Sequence, residues 1–186
     1  MSGQPRVRVE RVRTDQLHNE WLERFDRTQR TTRVLRQDGV SLSEDDSTFD
    51  DDWDAAGRHE VIRALRSCDR RGGAVLAILE AGEPQGFAAV EPERFGPDRA
   101  YVELNYLHVT GQQRGRGFGA ELFRASCTAA RALGASNLYI GAHPAVETQR
   151  FYAAMGCAPS AYVHPPILER EPLDIQLVFR LDASQG

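Results

Sequence analysis

The spacing of hydrophobic positions along this chain changes period several times, and each change marks an element. Val7, Val9 and Val12, in a basic surround, predict a first strand. Thr14-Asp15-Gln16-Leu17 reads as a helix start that carries Trp21, Leu22 and Phe25 inward to about Arg30. Gln37 to Asp52 is polar, with Gly39 and a Ser/Asp-rich stretch, and reads as a linker. Helical spacing returns over Ala55 to Arg70 through Val61, Ile62 and Leu65, and Gly72-Gly73 closes it. Ala74 to Glu80 and Gly86 to Val90 are apolar runs around Gly82-Glu83-Pro84, the pattern of a β-hairpin.

Tyr101 to Val109 predicts a longer strand with Glu103, Asn105, Leu107 and Val109 on one face and Leu104, Tyr106 and His108 on the other. From Phe118 the period becomes helical through Leu122, Ala125, Ala129 and Leu133, with Gly134 as the stop. A strand over Asn137 to Ala142, a helix over Val146 to Met155 ended by Gly156, and a last strand with Ile175, Leu177, Phe179 and Leu181 complete the order βααβββαβαββ. That order predicts an α/β (α+β) fold, a mixed sheet with helices on both faces.

Composition narrows the class. With 186 residues, 41% hydrophobic and 27% charged, the chain suits one globular domain, here residues 6–181 with flexible termini at 1–5 and 182–186. Cys68, Cys127 and Cys157 are odd in number and far apart, so they predict reduced thiols, with neither a disulfide framework nor a zinc site. The N-terminal residues have no apolar signal core and no run reaches the roughly 20 apolar residues of a membrane span, which predicts a cytoplasmic protein without membrane contact. All 23 basic residues are arginine. Glu44 to Asp54 holds Glu44, Asp45, Asp46, Asp50, Asp51, Asp52 and Asp54 with no base, so the net charge of −4 is local in origin and a nucleic-acid partner is not expected.

The densest chemical signal is Leu107-His108-Val109-Thr110-Gly111-Gln112-Gln113-Arg114-Gly115-Arg116-Gly117-Phe118-Gly119, an apolar strand end that turns through glycines into a helix. Glycines let backbone N–H groups turn inward, the helix N-terminus is positive, and Arg114 and Arg116 add cations, which together suit a phosphate. By its letters the segment is also a dinucleotide fingerprint, or a turn shaped only for packing. It lacks the Gly-Lys-Ser/Thr ending of a P-loop, and Leu133 to Ala142 lacks the acid that would bind a ribose hydroxyl.

What remains resembles the acyl-CoA site of the GNAT superfamily of N-acyltransferases, whose signature is Arg/Gln-x-x-Gly-x-Gly/Ala after a strand. Arg114-Gly115-Arg116-Gly117-Phe118-Gly119 fits, with Leu107 and Val109 upstream. A second motif agrees: Ala145-x-x-Thr148-x-x-x-Tyr152-x-x-x-Gly156-Cys157 keeps the tyrosine and glycine of Asn-x-x-Ala-x-x-x-Tyr-x-x-x-Gly-Phe. Ala145, Thr148 and Cys157 depart from it, and Gly111 stands where many members have proline. The resemblance covers about Arg6 to Leu181, and it implies a splayed sheet, acetyl-CoA as cosubstrate, no metal, and backbone groups of Leu107 and Val109 that align the acyl-pantetheine.

Acetyl transfer expels a thiolate of pKa about 8.5, so a hydroxyl donor helps, and the resemblance gives that role to Tyr152. The plainer reading is a packing tyrosine. A lysine-like acceptor amine is mostly protonated at neutral pH, so a base helps; Glu103 on the strand suits that role directly or through a water, with Asn105 placing the water. A buried structural hydrogen bond is the alternative for Glu103. His143, before Pro144, is a second candidate for acceptor contact, against a capping or loop histidine. The resemblance also brings the acidic run, with Trp53, and the loop His164-Pro165-Pro166 near the acceptor, which implies a small, cationic primary amine; a solvated loop is the bland reading. The expectation is an N-acetyltransferase working through a ternary complex. The rivals are a non-catalytic acyl-CoA-binding or regulatory module and a protein or peptide N-acetyltransferase, and a homodimer stays open.

Overall fold

In the computed structural model, which describes residues 8–38 and 41–181, the elements are β1 (Glu10–Val12), β2 (Gln29–Asp38), β3 (Ser41–Asp51), α1 (Ala55–Arg70), β4 (Ala74–Glu80), β5 (Glu83–Val90), β6 (Tyr101–Val109), α2 (Phe118–Ala132), β7 (Asn137–Ala142), α3 (Val146–Ala154), β8 (Ala158–Pro159), α4 (Pro165–Arg170) and β9 (Ile175–Arg180). Val7, Gly39 and the two predicted flexible termini lie outside the described residues.

Seven strands form a mixed sheet in the order β1-β4-β5-β6-β7-β9-β8, and β2 and β3 pair as a separate ribbon. The runs that predicted β4, β6 and β7 are strands within those limits because they are the sheet's centre. Val75, Leu76, Ala77, Val102, Leu104, Leu138 and Ile140 are all buried. One face packs Leu122, Phe123 and Cys127 of α2 and Tyr152 of α3 against Leu76, Leu104 and Ile140. The other face packs Val61, Ile62 and Leu65 of α1 with Trp21, Leu22 and Phe25 against Val75, Ala77 and Phe87. Helices therefore flank both faces, as the element order predicts.

Four expectations are corrected. Residues 14–28 are not a helix but turns and irregular backbone, and Gln29 and Arg30 already belong to β2. Leu17, Trp21, Leu22 and Phe25 are buried as expected. Their backbone is instead held from outside: Asp69 accepts from the Thr14 amide at 2.9 Å, and Arg66 Nε donates to the Leu17 carbonyl at 2.7 Å, taking an acceptor that a helix would use. Residues 37–52 are not a linker, since most of them belong to the β2–β3 hairpin. It is tied by cross-strand charge pairs, Arg33 with Glu44 at 2.7 Å and Arg36 with Asp45.

The face pattern of β6 is also revised. Ala89 pairs with Tyr106 but Val90 pairs with Leu104, which leaves Asn105 as an extra residue in a β-bulge. The bulge reverses the alternation. Leu104 shares a cluster with Leu107 and Val109, whereas Tyr106 packs in the α1 cluster. Glu103 and Leu107 therefore lie on opposite faces. Finally, His164-Pro165-Pro166 is no simple loop but opens α4, with prolines at its first positions where no amide partner is needed.

Candidate functional site

The site forms where the sheet comes apart. β6 and β7 pair in parallel at only Tyr101↔Asn137, Val102↔Leu138 and Glu103↔Tyr139, and β6 continues beyond them to Val109 while β7 continues to Ala142. The bulge at Asn105 bends β6 away at that point. Gln149 of α3 donates to the Ala142 and His143 carbonyls at 3.1 and 2.8 Å, groups a continuous sheet would otherwise satisfy. Against the parted strands lies a cavity of about 600 Å³. Its walls are Leu107, His108 and Val109 of β6, the turn from Gln113 to Ala120 apart from Arg116, Glu147, Thr148, Phe151 and Tyr152 of α3 with Met155 after it, and Arg27, Gln29 and Arg30 opposite.

The turn has the geometry of an anion cradle. Gly115 and Gly117 have φ of +75° and +85°. A Cβ at either would meet nothing within 4 Å, so glycine is needed there for backbone conformation rather than for space. Gly117 caps α2 without any side-chain hydrogen bond, and the first bond of the helix is from Glu121 to the Gly117 carbonyl. The amides of Phe118, Gly119 and Ala120 precede that bond and, beside the cavity, are free to receive a phosphate. Gly119 also lets the turn approach α3, since a Cβ there would stand 3.2 Å from Phe151 Cε2.

The two arginines of the motif differ. Arg114 lines the cavity, but its guanidinium is engaged by main-chain carbonyls: Val109 at 3.2 Å, Thr28 at 2.7 Å and Arg27 at 3.3 Å. Its charge stays at the cavity edge while its fork ties the turn to the segment before β2. Arg116 lies outside the wall, with its guanidinium 5.7 Å above the Phe118 ring and bonded to Gln113.

Tyr152 is only 6% exposed, sits 6.2 Å from the Phe123 ring and lines the cavity. It has no hydrogen bond to a described residue. Burial pushes its phenol above the ordinary range, so it is protonated at neutral pH and available as a donor. Phe151 shares the cavity wall with it.

The remaining predicted residues divide. Glu103 is largely buried and bonded to Arg170 of α4, away from the cavity wall. Burial raises its pKa and Arg170 opposes the rise. Asn105 donates to Glu91 at 3.0 Å. His143 accepts from the Ala145 amide through Nδ1 at 3.1 Å and turns Nε2 to within 3.5 Å of Asp51 Oδ2, without a hydrogen bond between them. Trp53 stands edge-on to His108 at 4.9 Å, with the Arg27 guanidinium 5.5 Å over its ring.

His108 and Arg27 line the cavity and were not singled out from the sequence. His108 sits one position from two predicted cofactor contacts, and only the bulge reveals which way it points. Its pKa is lowered well below the ordinary value by burial, then by Arg27 and Arg114. The acidic run is less free than its composition suggests: Glu44 and Asp45 pair with arginines, and Asp54 caps α1 by accepting from Gly57 at 2.7 Å. Asp51 is left facing inward, with Oδ2 buried, 3.5 Å from His143 Nε2 and without a hydrogen bond.

No described helix is long and apolar enough to cross a membrane, and no group of three His, Cys, Asp or Glu among the described residues is placed to hold a metal. All three cysteines are free, and burial raises their thiols to about 12, 11 and 12 at Cys68, Cys127 and Cys157.

Comparison with known proteins agrees with this geometry. No curated protein matches the sequence. The fold is similar to a nourseothricin acetyltransferase (14% identity, 96% of this chain and 100% of that one, TM-score 0.69). It is also similar to a putative streptothricin acetyltransferase from Bacillus anthracis in complex with acetyl coenzyme A (12%, 95% and 98%, 0.67). A third similar structure is an aminoglycoside 6'-N-acetyltransferase complexed with coenzyme A (14%, 69% and 82%, 0.53). The model of the acetyltransferase (GNAT) family matches residues 17–157, a span that takes in the turn, the parted strands and the Tyr152 helix, and the chain belongs to that family.

Proposed function

We propose that this chain transfers an acetyl group from acetyl-CoA to a primary amine of a small molecule, by direct attack within a ternary complex. The observation that carries the reading is that one cavity joins the glycine turn, the free strand edge Leu107 to Val109 and the Tyr152 phenol. Phosphates on the turn, pantetheine along the strand and the sulfur at Tyr152 follow in the order coenzyme A requires. In this reading Tyr152 donates to the departing thiolate, and Arg114, Gly115, Gly117, Phe118 and Gly119 hold the pyrophosphate. Arg116, outside the wall, contributes only a distant charge. Glu103, held by Arg170, anchors α4 beside the cleft, and the base stands elsewhere.

A small acceptor is favoured over a peptide because the hairpin leans on the end of β7. Leu35 donates to the Pro144 carbonyl at 2.8 Å, Val34 bridges to Ala145, and Phe49 packs 5.5 Å from His143. The similar structures of a putative streptothricin acetyltransferase and an aminoglycoside acetyltransferase support a cationic amine, and in this reading Asp51, whose Oδ2 is buried without a hydrogen bond, is the acid that meets it. The test is release of free thiol from acetyl-CoA across a panel of amines. Turnover is expected with polyamine-like or aminoglycoside-like acceptors, and Tyr152→Phe lowers kcat by about 10²-fold. Thermal stabilisation by acetyl-CoA without turnover of any amine would instead establish a binding module.

A further inference from the structure

We propose that His108 takes the proton from the acceptor amine, a role that rests on the acetyltransferase reading above and goes beyond the residues that carry it. Four side chains at or near the cleft have the right chemistry, Glu103, His143, Glu147 and His108, and their surroundings separate them. Glu103 is held by Arg170 away from the cavity wall; His143 accepts from the Ala145 amide through Nδ1, faces Asp51 with Nε2 at 3.5 Å and is not part of the wall; Glu147 lines the cavity but is exposed to solvent in the first turn of α3. The His108 ring makes no hydrogen bond to a described residue and forms part of the cavity wall.

Its placement follows from the bulge at Asn105. Because that extra residue reverses the alternation, Leu107 and Val109 face α2 while His108 faces the α1 side, where it meets Trp53 at 4.9 Å, Phe87 at 5.6 Å and Tyr106 at 6.1 Å. The imidazole thus adjoins the strand edge that aligns the thioester, but on the side opposite α2. An amine arriving from that side meets the acyl carbon and the imidazole together.

The groups facing it fix its protonation. Arg27, from the segment before β2, and Arg114, from the turn, are cations that oppose the imidazolium, and burial acts in the same sense. Tyr106 of β6 is the titratable neighbour, and its phenol is raised by burial and so neutral. His108 is therefore an unprotonated acceptor at neutral pH, and the two arginines favour passing its proton on to solvent. In the step, the amine nitrogen bonds to the acyl carbon and gives its proton to the free imidazole nitrogen. The carbon–sulfur bond breaks, and the thiolate takes the Tyr152 proton. Tyr152 is reprotonated from solvent and His108 returns its proton there, so a neutral amine gives amide and free thiol with no net proton; an acceptor that arrives as the ammonium ion first loses one further proton to solvent.

Steady-state kinetics of the full chain test this. With an acceptor found in the amine screen, His108→Gln should keep acetyl-CoA-induced thermal stabilisation, showing an intact donor site, and lose about 10²-fold or more in kcat with little change in the KM for acetyl-CoA. The unmutated enzyme should hold its kcat from neutral pH downward and lose it only well below pH 6.5, with a single-proton slope that the variant lacks. Added imidazole should restore part of the turnover of His108→Ala. Wild-type kcat in His108→Gln, within about threefold, with an unchanged acid limb would overturn the proposal while leaving the acetyltransferase reading intact. Absence of turnover with every amine in the unmutated chain would remove both, and the acetyl-CoA stabilisation then separates a binding module from a failed donor site.

Discussion

The Gly111 amide donates to the Asp26 carbonyl at 2.9 Å, and a Cβ on Gly111 would stand 2.2 Å from Asp26 Oδ2. Asp26 in turn donates its own amide to Thr110 Oγ1 at 3.0 Å, and its Oδ1 accepts from the Thr28 amide at 3.0 Å. This contact accounts for glycine at a position where the family resemblance implies proline: a proline has no N–H for Asp26 and brings a Cβ into its carboxylate. Gly111→Ala should cost about 1–3 kcal/mol as the carboxylate is forced aside, and Gly111→Pro about 1 kcal/mol more for the lost bond. Urea unfolding of the three proteins checks the order.

Arg114 completes the same latch, because its three carbonyl partners include Arg27 and Thr28. Removing it frees the segment that carries Arg27 as well as deleting a cation, so donor and acceptor sides should both suffer. Arg114→Ala is expected to raise the KM for acetyl-CoA about tenfold and to raise the acceptor KM as well, with Arg114→Lys recovering only part, since an ammonium cannot span three carbonyls. Arg116→Ala should raise the acetyl-CoA KM by about threefold at most, an effect that disappears in salt. Equal effects from the two substitutions would contradict the division of roles read from their bonds.

The parts of this fold that the sequence reveals are those where side-chain period and burial coincide. β6, β7 and the starts of α2 and α3 lie where the apolar pattern sets them, because they are packed on both sides by the core. The β2–β3 hairpin is hidden because main-chain pairing joins strands whose side chains are mostly polar and exposed, with charge pairs such as Arg33 with Glu44 across it, which leaves no apolar alternation. Residues 14–25 have helical spacing but adopt turns, because Asp69 and Arg66 supply from α1 the bonds that a helix would supply from within. Of the site, the turn and Tyr152 are local motifs and legible. His108 is not, since one extra residue at Asn105 decides its face. Proline at the first position of α4 was the one available signal for that missed helix.

If the acceptor is cationic, Asp51 is the acid that recognises it. Asp50 is one position away on the outer, exposed side of the hairpin, so the pair forms an internal control. Asp51→Asn should raise the KM for a polycationic amine about tenfold, roughly 1.4 kcal/mol, and leave acetyl-CoA binding unchanged. Asp50→Asn should alter neither. If instead both raised KM to the same extent, and only at low ionic strength, the effect would be a general field of the hairpin rather than recognition by Asp51.

Asp174 offers a stability test independent of turnover. It stands beside Gly141, whose Cβ, if present, would lie 3.6 Å from Asp174 Oδ2, and its charge reaches Tyr152. Burial, then Glu171, raise its pKa from 3.8 to about 6, against the pull of Arg170. A carboxyl raised in the folded state holds its proton more tightly folded than unfolded, so its stabilising contribution is complete below about pH 3.8 and is lost as pH rises through about 6. Above that the partly buried charge is a net cost. Asp174→Asn should therefore stabilise the protein at pH 8 by about 1 kcal/mol, a figure reduced for the group's partial exposure, and give no such gain at pH 4. Denaturant unfolding at the two pH values measures the difference. A gain that is the same at both pH values would show that it does not come from the carboxylate's charge, and would overturn the raised pKa of Asp174.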